Sequence, residues 1–359
     1  MNKNKLSICC LGYQHAAFLQ ECLASIAQIP YTDIEVVVVD DGSPDNSVEV
    51  LSKLAQSFPF PLKIIAQENT GNIGKNFNQA LLHTTGELVS FIALDDVFHP
   101  KSIVTAIEYM NADSRLAFIA PAKAVAISQE GWILDTLPPL PIESMKHPNI
   151  NTLLECEYTQ FGSFYIQGCL FRKSVIEAVG GFDEDMTGDD IVLRTKLFRY
   201  IQAHPEWQYG FLPLNSVFYR LHDNNIHKNG IRQIRIVTEY LSRYWPDRPN
   251  PPMLTNWALG TLNEGNPVEW RTALQHMNSR AADLLNDQQI RRKMKKLAYR
   301  QTRWAQASDD LLKRFVFRKE KPSPNERKIV LFGFIRFTYR KSKSQSQADK
   351  PPVHYSTFF

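Results

Sequence analysis

Apolar residues fall in short continuous runs along the first 120 positions, and the stretches between them carry helical spacing. Leu6 to Leu11 reads as a first strand, after which Leu19, Cys22, Leu23 and Ile26 recur at i, i+3, i+4 and i+7, one face of an amphipathic helix. Ile34 to Val39 is a second strand, followed by the helical face Val48, Leu51, Leu54 and Ala55. Leu62 to Ala66 and Leu88 to Ala93 continue the series; Phe77, Ala80 and Leu81 mark a helix between them, and Ile103, Ile107 and Met110 one after Pro100. Strands alternating with helices predict an α/β fold, a mostly parallel sheet with right-handed crossovers. Beyond Ala117 to Ala120 the pattern loosens, and Pro138-Pro139-Leu140-Pro141 marks a loop. After Asn229 the chain reads as helices, with a break between Pro246 and Pro252.

Two of the predicted strands stop on paired acids. The run Val36-Val37-Val38-Val39 ends at Asp40-Asp41-Gly42-Ser43, and Leu88 to Leu94 ends at Asp95-Asp96. Ligands of open α/β sheets sit beyond the carboxyl ends of the strands, so the two pairs point to one crevice. Carboxylates there suit a divalent cation, and they also accept from the N–H of a nucleobase. Acids that merely end a strand and cap the next helix are the plain alternative, with Asp45 or Asn46 as the cap.

The residues around these acids resemble the nucleotide-binding half of family 2 glycosyltransferases with the GT-A fold. The matching pieces are Leu11-Gly12-Tyr13-Gln14-His15, Asp40-Asp41-Gly42-Ser43-Pro44-Asp45, Glu68-Asn69-Thr70-Gly71, Thr85-Gly86-Glu87 and Asp95-Asp96-Val97-Phe98-His99-Pro100. Downstream, Gly180-Gly181-Phe182-Asp183-Glu184-Asp185 and Gly188-Asp189-Asp190 resemble the acceptor-side motif, and Tyr219-Arg220-Leu221-His222-Asp223-Asn224-Asn225 the late tyrosine/histidine segment. The resemblance implies a GT-A-type, Rossmann-like catalytic domain over 1–228 that binds a nucleotide-sugar, expected to be a UDP-sugar. Tyr13 would stack on the base, Asp40 or Asp41 would take the uracil N3–H, Lys75 would reach a phosphate and Asp96 would serve the ribose and diphosphate. Asp95 and His222 would hold Mn²⁺ or Mg²⁺, with His227 a weaker candidate. Asp190 maps onto the family's general base, leaving Asp189 to position the acceptor or cap a helix through Leu193 and Leu197. One departure stands out: Ala93 occupies the place of the first acid of the family's Asp-x-Asp-Asp pattern, which puts donor positioning in question.

Composition changes the picture mainly at the C-terminus. Residues 291–343 hold 18 Lys/Arg against 4 Asp/Glu, so of the chain's 41 basic and 37 acidic residues the remainder keeps 23 and 33. No nucleic-acid-reading module accompanies this basic stretch. Its aromatic-rich core, Ile329 to Tyr339, is too short to span a bilayer, which takes about 20 residues, and suits an anionic membrane surface. The expected organisation is the catalytic domain, a helical extension over 229–325 and a basic, aromatic tail over 326–359, membrane-associating or partly disordered. Five cysteines without CxxC spacing, and a polar Met1 to Lys5 leading straight into a strand, fit a cytoplasmic protein peripheral to the inner face of the cell membrane. The expected activity is metal-dependent, inverting sugar transfer to a saccharide or lipid-linked glycan in surface-polysaccharide synthesis of the O-antigen or capsule kind. A sugar nucleotidyltransferase and a non-catalytic nucleotide-sugar-binding module are the alternatives. The first normally carries a glycine-rich, arginine-containing loop, absent from Leu11 to Phe18, and Ala93 favours the second. Gln301-Thr302-Arg303-Trp304 falls one residue short of a processive synthase's Gln-x-x-Arg-Trp signature.

Overall fold

The computed structural model describes residues 4–134, 137–146, 148–223, 225, 229–264, 266–300, 318–323, 326–331, 335–340 and 353–358. It divides into two compact units, one of residues 1–257 and 353–359, the other of 258–352. The predicted strands and helices form in order at the start of the first unit: β1 (Leu6–Gly12), α1 (Leu19–Ala27), β2 (Ile34–Asp40), α2 (Ser47–Ala55), β3 (Leu62–Ala66), α3 (Ile73–Leu82) and β4 (Leu88–Ala93). A short β5 (Val97–Phe98), α4 (Pro100–Ala112), the long β6 (Leu116–Ser128) and a short β7 (Ile133–Leu134) follow. After them come α5 (Ile150–Gln160), β8 (Leu170–Arg172), α6 (Lys173–Ala178), α7 (Asp190–Ala203), β9 (Gln208–Leu221) and α8 (Gly230–Tyr244).

The sheet runs β3-β2-β1-β4-β8-β6-β9-β5, with β7 paired to β6. Pairings among β1 to β4 are parallel, and β8 joins antiparallel to both β4 and β6. The chain winds outward through β2 and β3, then returns to place β4 on the other side of β1. That reversal is the topological switch point at which open α/β sheets bind ligands. Register brings the strand ends level there: Gly12 pairs with Asp40 and Leu11 with Ala93. The two acid pairs therefore flank the end of β1.

Alternation of side chains across the strands builds a core on each face. Ile8, Cys10, Val36 and Val38 pack with α1 and α4 through Leu23, Ile26, Ile103 and Ile107. Cys9, Val37, Val39 and Phe91 pack on the opposite face with Phe77, Phe171, Phe182 and Leu193. All five cysteines are buried free thiols, so none constrains the loops. Helix α3 is capped by Asn72, whose side chain accepts from Lys75 N at 2.9 Å. Helix α4 starts with Pro100 and is capped by His99 Nδ1 at 3.3 Å from Ser102 N. Asp45, an expected cap, accepts from Ser47 N and Oγ and from Ala16 N, tying the start of α2 to the turn after β1.

The boundary after Trp257 puts α8 in the first unit, where Ile234, Val237, Tyr240 and Leu241 are buried. The second unit contains the end of α9 (Pro252–Glu264), α10 (Pro267–Met277) and α11 (Ser279–Leu284), with Trp270 buried and its indole N–H on Thr261 Oγ1 at 3.0 Å. It also contains an antiparallel sheet of β10 (Arg318–Ser323), β11 (Glu326–Leu331) and β12 (Ile335–Arg340). Of the basic stretch, residues 291–300 are helical and 318–323, 326–331 and 335–340 are strand. Residues 301–304 and 341–352 lie outside the described residues. Among the described residues no helix is long and apolar enough to cross a membrane.

Candidate active site

The turn after β2 uses its two acids differently. Asp40, where β2 ends, accepts from Ser43 N at 2.9 Å and Ser43 Oγ at 2.6 Å, closing the Asp40–Ser43 turn. Gly42 makes that turn possible: its φ is +73°, and a Cβ there would lie 2.6 Å from Asn69 N. Asp41 reaches the neighbouring loop, accepting from Thr70 N at 2.8 Å, Gly71 N at 3.0 Å and Gln67 Nε2 at 3.0 Å. Burial alone would push the Asp41 carboxyl up, but these donors outweigh it and hold it below the usual range. Tyr13 stands just past the end of β1 with 44% of its surface exposed, a free aromatic face at the rim of the crevice. Lys75 is exposed in the first turn of α3, one turn beyond the loop that Asp41 holds.

Asp95 and Asp96 are both buried, and among the described residues each keeps one carboxylate oxygen without a hydrogen-bond partner, Asp95 Oδ1 and Asp96 Oδ2. Asp95 Oδ2 lies 2.9 Å from His222 Nε2 and 3.7 Å from His15 Nε2. The three residues offer ligand atoms that all lie within 4.8 Å of one another. Burial would raise Asp95, yet the His222 hydrogen bond and the two nearby imidazoles keep it below the usual range. Burial also pushes His15 down, toward the neutral form that can ligate a metal. Asp96 goes the other way: burial and the Asp95 charge beside it drive its carboxyl well up. Two adjacent buried carboxylates, with orphaned oxygens and two imidazoles, form an anion-rich cradle that a divalent cation would satisfy. His227 lies outside the described residues.

Asp189 and Asp190 open α7, and Asp189, at the N-cap position, makes no side-chain cap hydrogen bond. Asp190 Oδ2 accepts from Ile166 N at 3.3 Å and lies 3.5 Å from Arg194 Nη1. Arg194 is itself buried against Glu157 at 3.0 Å. Burial raises Asp190 to about 7, with the Asp189 charge adding to the shift and Arg194 opposing it. Burial raises Asp189 as well. A carboxyl poised near neutral pH suits a general base. Burial pushes the Tyr219 phenol up, and the charges of Asp96, Asp95 and Asp190 add to the shift. Tyr219 stacks on Tyr165, which is 41% exposed, with ring planes 8° apart.

Four of the groups that build this site carry no role in the sequence reading. His15 sits in a quoted motif and joins Asp95 only through the turn at Gln14, whose φ is +58°. Arg220, fully buried, donates from Nε to the Asp95 carbonyl at 2.8 Å, and its main-chain N donates to Asp96 Oδ1 at 2.7 Å. Glu21 on α1 pairs with Arg220 Nη2 at 2.5 Å. Gln167 comes from a segment bridged to Phe91, and its Oε1 accepts from Ala93 N at 2.8 Å. It therefore supplies a polar side chain where Ala93 offers none.

Comparison with known proteins agrees with this geometry. The family model for glycosyl transferase family 2 matches residues 7–180. An uncharacterized glycosyltransferase of Nostoc sp. is 38% identical over 104 residues, 29% of this chain and 32% of that protein. A poly-β-1,6-N-acetyl-D-glucosamine synthase of Staphylococcus aureus is 25% identical over 188 residues, 52% of this chain and 43% of the relative. The chain thus spans about a third to under half of the length of these relatives. Among solved structures, S. aureus TarS in complex with UDP-GlcNAc superposes with a TM-score of 0.54 at 17% identity, covering 94% of this chain and 100% of that one. The mannosyltransferase PcManGT from Pyrobaculum calidifontis, in complex with GDP-Man and Mn²⁺, gives 0.51 at 18%, covering 83% and 85%. At those identities the likeness is one of fold, the GT-A arrangement of a mostly parallel sheet between helices. The matched segment, residues 7–180, carries the two acid-bearing strand ends of that fold, and it is this part of the chain that matches glycosyl transferase family 2.

Proposed function

We propose that the chain is a metal-dependent, inverting glycosyltransferase that uses a UDP-sugar. The observation that carries this reading is the cradle of Asp95, Asp96, His15 and His222, with its orphaned carboxylate oxygens. Asp95, His222 and His15 would hold the ion. Two imidazoles beside one carboxylate suit Mn²⁺ better than Mg²⁺, which prefers all-oxygen sites. When bound, the ion would neutralise charge developing on the departing diphosphate. Tyr13 supplies a stacking face for the base, and the spare lone pairs of Asp40 and Asp41 can accept from a uracil N3–H. Lys75 reaches toward the phosphates, and Asp96, with Gln167 beside it, faces the donor. Asp190 takes the acceptor hydroxyl's proton as that oxygen attacks the anomeric carbon. The attack comes from the face opposite the leaving diphosphate, so the anomeric configuration inverts. Asp189 positions the acceptor and raises the basicity of Asp190. The nucleotide-sugars in the two solved glycosyltransferases support a donor of this class. A panel of UDP- and GDP-sugars, assayed for nucleoside diphosphate release with and without Mn²⁺, tests the reading. Release from a UDP-sugar that needs both Mn²⁺ and an acceptor is the expected result; metal-independent release, or none from any donor, sinks it.

The same proposal places the enzyme in assembly of a surface polysaccharide or lipid-linked glycan, on the cytoplasmic side of the membrane. Support comes from the basic stretch over 291–343, which contains β10 to β12. Each Lys or Arg near an anionic surface contributes about 1 kcal/mol, and the attraction decays within a Debye length of roughly 8–10 Å. The chain should therefore sediment with phosphatidylserine vesicles at low salt and be released as salt rises. Equal sedimentation with neutral vesicles would remove the membrane from the proposal.

A further inference from the structure

The last described residues, Val353 to Phe358, return to the first unit, although 95 residues of the other unit separate them from Trp257. They dock on the turn between β6 and β7. Ile133 N donates to Val353 O at 2.8 Å, Tyr355 N donates to Gly131 O at 3.0 Å, and Trp132 and His354 form an antiparallel bridge. His354 Nε2 lies 2.9 Å from the Glu130 carbonyl. Gly131 is fitted to this contact: its φ is +90°, and a Cβ there would lie 2.5 Å from His354 Nε2 and 2.6 Å from Tyr355 Cε1.

Three routes lead from this docked segment to the acids of the cradle. The Tyr355 hydroxyl donates to Glu21 Oε2 at 2.9 Å, the same oxygen that holds Arg220 Nη2. The β6–β7 turn that the segment grips presents the carbonyls of Gln129 and Ser128 to Arg220 Nη1, at 2.7 and 3.4 Å. The Tyr355 ring packs in a small cluster with Val97, Ile127 and Phe218, and Val97 directly follows Asp96. Arg220 collects the first two routes and delivers them through Nε to the Asp95 carbonyl. A guanidinium held at both Nη atoms has one orientation left for Nε, which makes its hold on the turn rigid.

We propose that Val353–Phe358 is a clasp that fixes the Asp95–Asp96 turn, with Tyr355 as a positioning residue acting through Glu21 and Arg220. Its effect on metal affinity rests on the metal reading above; the clasp itself does not.

The full chain carrying Tyr355→Phe or Tyr355→Ala tests this by amide hydrogen exchange and by Mn²⁺ binding in the presence of UDP, read as free Mn²⁺ by electron paramagnetic resonance. Tyr355→Ala should speed exchange at Leu94 to Phe98 about tenfold while amides of β1 and β2 keep their protection, a local rather than global opening. It should also weaken Mn²⁺ binding about tenfold. Tyr355→Phe keeps the ring and loses only the hydroxyl, so about a threefold loss of Mn²⁺ affinity is expected, a fraction of the worth of one hydrogen bond to a charged group because the hydroxyl acts on the turn only through Glu21 and Arg220. If Tyr355→Ala does not fold, Tyr355→Phe decides by the same two measurements. Loosening confined to residues 128–133, with Leu94 to Phe98 as protected as before, overturns the clasp. So does a loosened turn that binds Mn²⁺ as tightly as the parent. A parent chain that binds no Mn²⁺ with UDP overturns the metal reading instead, and the exchange arm still decides the clasp.

Discussion

Asp190→Asn is expected to reduce sugar transfer by about 10²–10⁴-fold, the usual contribution of a general base, while UDP-sugar binding stays close to normal. An asparagine oxygen can still accept from Ile166 N, and Arg194 retains Glu157 as its counter-charge, so the fold has no reason to fail. What is lost is a carboxylate raised to about 7 by burial and by Asp189. The reaction requires the ionised form, so in the parent kcat should fall as pH drops through about 7, toward a tenfold loss per unit. Asp189→Asn should cost less activity and move that limb downward, because it removes a charge that raises Asp190. Transfer rates over pH for the three proteins check all of this. Equal, small effects from both substitutions would place the base elsewhere, and the reverse ranking would exchange the two roles.

The fold was legible because β1, β2 and β4 are buried on both faces and read as nearly continuous apolar runs. The level ends of β1, β2 and β4 followed from the same pattern, since acids terminate two of those strands at matching register. Legibility fell where a side chain matters through a distant partner. Glu21 lies on an amphipathic helix and reads as a solvated acid until Arg220, 199 positions away, is placed against it. Gln167 reaches Ala93 through a single bridge across 74 positions, which no local spacing encodes. Tyr355 is the extreme case, in contact with a residue 334 positions earlier. The charge of residues 291–343 pointed to a membrane and said nothing of Tyr355, which packs with Val97, Ile127 and Phe218 beside the metal candidates. Whether Asp189 caps its helix is likewise a matter of geometry that spacing could not supply: it sits at the N-cap position of α7 without a side-chain cap hydrogen bond.

Asp95→Asn should abolish metal-dependent transfer while leaving the protein folded. The substitution removes the one charged oxygen among the three grouped ligand atoms, and the two imidazoles that remain are poor partners for Mn²⁺ or Mg²⁺ on their own. Loss of an outer-shell partner already costs about 10–100-fold in metal affinity, so loss of the anionic ligand itself should exceed that range. His222→Ala should cost less, because diphosphate and water can replace a neutral ligand and His15 remains beside Asp95. Stability should move differently from function. The Asp95 charge, after burial, is the main reason the Asp96 carboxyl is pushed up, so neutralising it relieves a like-charge contact in a buried turn. An asparagine oxygen can still accept from His222 Nε2, which preserves the local hydrogen bond. The substitution also gives up the stabilisation of an Asp95 carboxylate held below the usual range by His222 and His15, so thermal unfolding in chelator should show Asp95→Asn close to the parent, whereas with Mn²⁺ and UDP only the parent should gain stability, as ligand linkage requires. Near-normal turnover of Asp95→Asn at low Mn²⁺, or the same gain on adding metal, would remove Asp95 from the ion's ligands and with it the core of the proposed mechanism.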